Sequence, residues 1–267
     1  MDHDVASAYL TRIGLAPEDI GKPDAELLRE LHVRHLRSVP FENLSIHLGE
    51  PISLDEDALL DKIVRSRRGG FCYELNGAFA LLLKELGFTV SRHAARVFIG
   101  DGQLGVPFDH LALVVSLDER WIVDVGFGRH TRYPLLLDHR EVQEDPGGRF
   151  QVRPAPDGDV DVVQDGGPVY RMELRPRALE EFRIGCWWNT TSPDSHFTRS
   201  LTCSLPTDDG RVTLSGRTLI TTIGGERTEI ELESDGVVLE AYLTIFGVEL
   251  DRVPEVSAAN QTPAILA

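Results

Sequence analysis

The spacing of apolar residues switches from a helical to an alternating period at Gly87, which restricts the chain to a mixed fold with helices first and strands after. Before Gly87, residues 6–13 form a short amphipathic segment. Asp24 is placed to cap a helix carrying Leu27, Leu28, Leu31 and Leu36, which must stop before Val39-Pro40 because a residue preceding proline avoids helical angles. Residues 55–66 predict another helix, with Leu59, Leu60 and Ile63 inward. The strongest prediction is a helix over 72–86. Leu75, Phe79, Leu82, Leu83 and Leu86 share one stripe, and Gly87 stands where a glycine stop belongs.

From Phe88 the pattern predicts strands over 89–99, 111–115 and 121–125, the last two joined through Leu117-Asp118-Glu119. Residues 138–170 are rich in Asp, Gly and Pro and read as a meander or small barrel with solvated acidic turns, including strands over 149–152 and 160–163. Residues 176–188 read as a helix or a linker, with Trp187-Trp188 as packing residues. Strands are predicted over 211–214, 218–223 and 228–232. A closing helix follows over 237–246, with Leu239, Tyr242, Leu243 and Phe246 on one side.

The chain has 267 residues, room for one large domain or about two of ordinary size. Its formal net charge of −16 argues against a general nucleic-acid or anionic-membrane binder. No apolar run approaches the roughly 18 residues of a membrane span, and the acidic start argues against a secretory signal. Three scattered cysteines without CxxC spacing make neither a disulfide framework nor a zinc site. Together these features predict a soluble cytoplasmic protein. His32 and His35, three apart, have metal-compatible spacing but no third ligand nearby, so no metal is expected and they read as an exposed helix face.

Cys72 has an unusual setting. Arg67-Arg68-Gly69-Gly70-Phe71 leads directly into the best helix, so the thiol sits at the positive end of a helix dipole with arginines before it. Such settings favour thiolate over thiol, and the glycines would let backbone approach a substrate carbonyl. Position alone leaves two readings, a nucleophile or a buried structural cysteine. Cys186 and Cys203 lack this context and read as structural.

A thiolate nucleophile needs a base, and the base an orienting group. His110 opens one strand and Asp124 ends the next. A carboxylate in an apolar strand is costly unless paired. Side chains alternate faces along strands, so the two share a face only if paired residue numbers sum to an even value. Pairing Ser116 with Arg120, or Val115 with Trp121, satisfies this and makes them diagonal neighbours. A two-residue turn at Asp118-Glu119 would place them on opposite faces.

Arg67-Arg68-Gly69-Gly70-Phe71-Cys72-Tyr73-Glu74-Leu75-Asn76 resembles the active-site signature of the arylamine N-acetyltransferases. Val39-Pro40-Phe41-Glu42-Asn43-Leu44, Asp109-His110-Leu111, Val123-Asp124-Val125-Gly126-Phe127-Gly128, Thr191-Ser192-Pro193-Asp194-Ser195-His196-Phe197 and Phe246-Gly247-Val248 match further family segments in order. The resemblance implies an α+β fold: an N-terminal helical bundle (1–87), a central antiparallel β-barrel with linker (88–196) and a C-terminal α/β lid (197–267), on a cysteine-protease-like core. It also implies a catalytic triad of Cys72, His110 and Asp124. The implied reaction is ping-pong transfer of acetyl from acetyl-CoA, through a Cys72 thioester, to an arylamine or arylhydrazine.

One departure is Asp109, where many family members carry a neutral or basic residue. A charge there would raise the His110 pKa and alter acceptor preference. Gly126, Gly128 and Arg129 offer backbone N–H groups and charge for CoA; a tight strand-end turn is the commoner explanation of Gly-x-Gly, and it is the resemblance that implies a binding role. The resemblance assigns Phe127 to the acceptor pocket, and places Ser192, Ser195, His196 and Arg199 along the CoA cleft. Arg68 is expected to hold the glycine turn or pair with Glu42. The Cys72 backbone N–H is one oxyanion donor, and a second is not identifiable. Two other functions use the same triad: amide synthesis from a longer or carrier-bound acyl thioester, and hydrolysis. Oligomeric state is left open.

Overall fold

The computed structural model describes residues 3–256. Helices α1 (His3–Arg12), α2 (Ala25–Ser38), α3 (Leu44–Leu48), α4 (Glu56–Leu60) and α5 (Cys72–Glu85) form the first layer, with the short strand β1 (Phe41–Glu42) between α2 and α3. Asp24 caps α2 by accepting the Leu27 N–H at 2.8 Å, and α2 ends at Ser38, before the proline. The helix predicted over 55–66 instead changes pitch: α4 runs into a π-helical turn, Asp61–Arg65. The α5 helix is buried almost all round, because the bundle packs on one face and the barrel on the other. A one-sided stripe therefore understates its burial.

The barrel is built from β2 (Thr89–Ile99), β3 (Gln103–Leu104), β4 (His110–Ser116), β5 (Arg120–Val123), β6 (Leu135–Leu136), β7 (Gln143–Asp145), β8 (Gly148–Pro154), β9 (Val160–Gln164) and β10 (Gly167–Arg177). The order is β6-β5-β4-β2-β10-β9-β8-β7, antiparallel throughout, with β3 beside β2. Side chains draw the two end strands together. The Gln143 amide bonds both the N–H and the C=O of Leu136 (2.8 and 3.0 Å), and Asp145 accepts the N–H groups of Arg132 and Tyr133. This gives some of the acidic residues read as solvated turns a structural task. The stretch read as helix or linker divides at Arg177: β10 ends there, and a short 3₁₀ turn leads into α6 (Arg183–Thr191) and α7 (His196–Arg199).

The C-terminal layer is β11 (Cys203–Pro206), β12 (Gly210–Ser215), β13 (Thr218–Ile223), β14 (Glu226–Glu231) and α8 (Asp235–Phe246). Its sheet order is β1-β11-β12-β13-β14, so a strand from the first part of the chain forms its edge. Leu44 and Leu48 of α3 belong to the same core as Leu214, Val238 and Tyr242. The buried side of α8 carries Val238, Ala241, Tyr242 and Phe246. Leu243 faces outward, because β11 receives the helix about one position off the face predicted from its leucines. Trp187 is likewise exposed, at 65%, whereas Trp188 lines a cavity.

The segments before β1 and before α5 are locked together. Gly70 donates to the Pro40 carbonyl (3.3 Å), and Glu42 donates its N–H to the Gly70 carbonyl (2.8 Å). A Cβ at Gly69 would lie 2.0 Å from the Pro40 oxygen, and one at Gly70 would lie 2.7 Å from Glu74 Oε2. These glycines are required by chain–chain packing, a constraint separate from the substrate approach expected of them. Arg68 Nε donates to Glu42 Oε1 at 3.2 Å, and its Nη1 bonds Glu50 at 3.0 Å. Glu42 is fully buried, and its Oε2 accepts the Leu44 N–H. Among the described residues no helix is long and apolar enough to cross a membrane. Replacing Glu42 with Ala removes the buried partner of Arg68, leaves the more exposed Glu50 as its ion-pair partner, and takes away the acceptor of the Leu44 N–H; it is expected to destabilise the fold by about 3 kcal/mol, read by urea denaturation.

Candidate active site

Cys72 is the first residue of α5. The helix starts there because Phe71 is extended and Glu74 turns back to accept the Phe71 N–H at 3.3 Å. The thiol is 2% exposed and lies 3.9 Å from the Asp109 carbonyl. First-turn N–H groups of a helix have no intrahelical acceptor, so this end of α5 favours negative charge. Arg68, four residues earlier, is engaged by Glu42, Glu50 and Ser45. The positive group in contact with Cys72 is His110.

The β4–β5 register pairs Val115 with Trp121 and Ser116 with Arg120 across a three-residue loop. Paired numbers therefore sum to an even value, and His110 and Asp124 fall on one side of the hairpin. His110 Nε2 lies 2.7 Å from Asp124 Oδ2, and both residues are buried. The other Asp124 oxygen accepts Asn76 Nδ2 at 2.9 Å and the Gly126 N–H at 3.0 Å. Asn76 also donates to the Leu111 carbonyl (2.6 Å) and accepts the Val125 N–H (2.9 Å). One amide thus joins α5, β4 and the chain after β5. The signal for it was available: Asn76 is a polar residue one turn after Cys72, at the head of the apolar run that fills the middle of α5.

Burial alone would lower the pKa of His110. The Asp124 carboxylate, its hydrogen bond and Cys72 outweigh this and push the pKa up to about 10. These groups are the largest causes, and the Asp109 carboxylate, which His110 in turn holds down, adds to them in the expected direction. Burial would likewise raise Asp124, but the His110 charge and the donated hydrogen bonds hold it at about 2. At neutral pH the two form an imidazolium–carboxylate pair. Behind them His130 is buried against Phe127, Phe150 and Tyr170, and burial drives its pKa down to about 4, leaving it neutral.

Cys72 and His110 open onto a cavity of about 980 Å³ between the barrel and the α6–α7 segment. Gly126, Phe127 and His196 line it, as does Arg199. A Cβ at Gly126 would come within 2.6 Å of Cys72 Cα, so glycine is needed for the chain to cross the start of α5. Gly128 and Arg129 do not line the cavity: Gly128 lies against the Phe41 ring and Arg129 is exposed. Ser192 is also outside the lining, and Ser195 is buried as the α7 cap. The reading missed Phe41 and Asn189 as lining residues. Asn189 Nδ2 donates to Tyr73 Oη (2.8 Å) and to the Asp109 carbonyl (3.2 Å). His32 and His35 are buried, not exposed. His32 Nδ1 pairs with the Arg132 carbonyl at 3.0 Å and His35 Nε2 with Tyr9 Oη at 2.9 Å, because α2 turns this face into the core. Cys186 and Cys203 are buried, and burial pushes both thiols up.

A family model described as N-acetyltransferase matches residues 24–255. The arylamine N-acetyltransferase of Mycolicibacterium smegmatis is 37% identical over 252 residues, covering 91% of each chain. The chain belongs to the arylamine N-acetyltransferase family. It is therefore an acyltransferase. Among solved structures, the arylamine N-acetyltransferase from Salmonella typhimurium superposes with a TM-score of 0.86 at 30% identity, covering 97% of both chains. The Mycobacterium marinum enzyme in complex with CoA superposes with a TM-score of 0.82 at 31% identity, over 91% of this chain and 92% of that one.

The raised His110 pKa sets the sign of a stability prediction. Its contribution is fully present below the unfolded value of about 6.5 and is lost as pH rises through about 10. The stability advantage of the wild type over His110→Gln should therefore shrink steadily from pH 6.5 to 10 in chemical denaturation.

Proposed function

We propose that the enzyme takes an acetyl group from acetyl-CoA onto Cys72 and passes it to the nitrogen of an arylamine or arylhydrazine. The observation that carries this reading is the buried His110–Asp124 pair set against Cys72 at a helix start, on the wall of a cavity large enough for two substrates in turn. The relatives' names and the CoA-bound structural neighbour support the choice of donor and acceptor.

The Cys72 sulfur, as thiolate, attacks the thioester carbonyl of acetyl-CoA. A carbon–sulfur bond forms to Cys72, the bond to CoA breaks, and the imidazolium of His110 supplies the proton that CoA carries away. The amine nitrogen then attacks the acetyl-enzyme, His110 takes its proton, and Cys72 leaves as thiolate. Asp124 keeps the imidazole oriented and stabilises its charge in both halves. The N–H groups of the first turn of α5 are the donors we assign to the oxyanion. Phe41, Phe127 and Phe197 offer flat apolar surface to an aromatic acceptor. Gly126 brings backbone close to Cys72, and His196 lines the opposite side of the cleft, on α7.

Incubating the protein with acetyl-CoA should add one acetyl group, seen by intact mass, that is absent in Cys72→Ala and removed by an aromatic amine. An unmodified wild type, or one acylated only by longer or carrier-bound thioesters, would overturn the donor assignment. Acid released without an amine would indicate hydrolysis. In Asp124→Asn the amide oxygen can still accept from Asn76 and Gly126, which turns its NH2 toward His110 Nε2, so the imidazolium loses its acceptor and acetyl transfer should fall by about 10³-fold or more.

A further inference from the structure

Asp109 places a carboxylate on the wall of the same cavity, one residue before His110. The turn that presents it is held by side chains from three other elements. Phe108 has a left-handed φ of 62°, an unusual state for an aromatic residue. Its carbonyl is held by Tyr73 Oη at 2.7 Å, and its ring packs edge-on against Phe182 at 5.4 Å. The Asp109 carbonyl is held in turn by Asn189. The carboxylate then lies over Gly105, where a Cβ would come within 2.0 Å of Oδ2. Oδ1 accepts the Val97 N–H at 3.0 Å, and no side chain among the described residues donates to Oδ2.

The surrounding charges act on the carboxylate through space without bonding to Oδ2. Arg96 also lines the cavity, but its guanidinium donates to the carbonyls of Gly105 and Leu104. The charge of His110 is matched by Asp124. Burial raises the Asp109 pKa to about 6, with the Val97 N–H, His110 and Arg96 opposing, so the group is a carboxylate at pH 7.5. The wall also carries Asp194 and Arg199, the latter donating to the carbonyls of Asp194 and Ser195; an anion whose oxygen no side chain meets is a recognition element when a ligand donor meets it and a penalty when a second anion does.

We infer that Asp109 is a specificity-determining residue that selects acceptors carrying a positive charge or extra N–H donors and disfavours acceptors carrying a carboxylate. The inference rests on the acyl-transfer reading above for its kinetic consequence, while the binding preference is readable without it.

Two acceptors of like size and opposite charge, 4-aminobenzamidine and 4-aminobenzoate, test it at pH 7.5. Asp109→Asn keeps the acceptor oxygen for Val97 and removes only the charge. The ratio of kcat/KM for the amidine over the benzoate should fall about tenfold or more in the variant, the equivalent of one lost charge-assisted hydrogen bond. Comparing ratios cancels the different nucleophilicities of the two amines and any general loss of rate. An unchanged ratio would overturn the inference. A second measurement needs neither the variant nor turnover: wild-type Cys72 should be protected from iodoacetamide more strongly by benzamidine than by benzoate. Equal protection, or better protection by benzoate, would also overturn it. If Cys72 takes no acetyl group from acetyl-CoA yet benzamidine protects better, the donor assignment fails and the Asp109 preference stands.

Discussion

Asp124 is a charged side chain at 2% exposure, and removing a carboxylate from water is tolerable only where donors replace the water. Three donors do so, each from a different part of the chain: His110 at the start of β4, Asn76 in α5, and the Gly126 N–H beyond β5. The helix can sit where it does only if Asn76 reaches the hairpin, and the hairpin can close only in a register that brings His110 across. The same contacts aim His110 at Cys72. The need to satisfy one buried charge and the geometry that sets His110 against Cys72 are therefore the same requirement.

A second buried charge organises the opposite wall. Glu42 and Arg68 join the segment before α5 to β1, and β1 is the edge of the C-terminal sheet. Asn43, the next residue, donates to the carbonyls of Phe197 and Ser200 and accepts the Thr202 N–H. The residues that set the nucleophile's backbone thus also set the position of α7. The cavity lies between these two networks, with His110 and Asp109 on the barrel side and Phe197 and His196 on the other. Its shape follows from polar contacts made outside it, which leaves its lining largely apolar.

Much of this was written locally. The α5 helix, its cysteine at the first position and the strand over residues 89–99 follow from period and capping, which depend on neighbours in sequence. The shared face of His110 and Asp124 followed from parity once the loop length was allowed to be three residues. Asn76 was equally legible as a polar residue on the buried side of an apolar helix, although its partners were not.

What the chain alone left undecided concerns which surfaces meet. His32 and His35 look like a solvated face, and only the packing of α2 against Tyr9 and the Arg132 loop buries them. Leu243 looks inward until β11 is seen to receive the neighbouring face of α8. Gly69 and Gly70 look like room for a substrate, and the Pro40 carbonyl and Glu74 occupy that room. Arg129 reads as a charge for CoA, and only the fold shows that it stands exposed, outside the cavity lining. The division has one cause. Hydrogen-bond periodicity, capping and side-chain alternation act over a few residues and are encoded where they act. Burial and close approach depend on segments many residues apart, and their identity becomes available only when the tertiary structure brings them together.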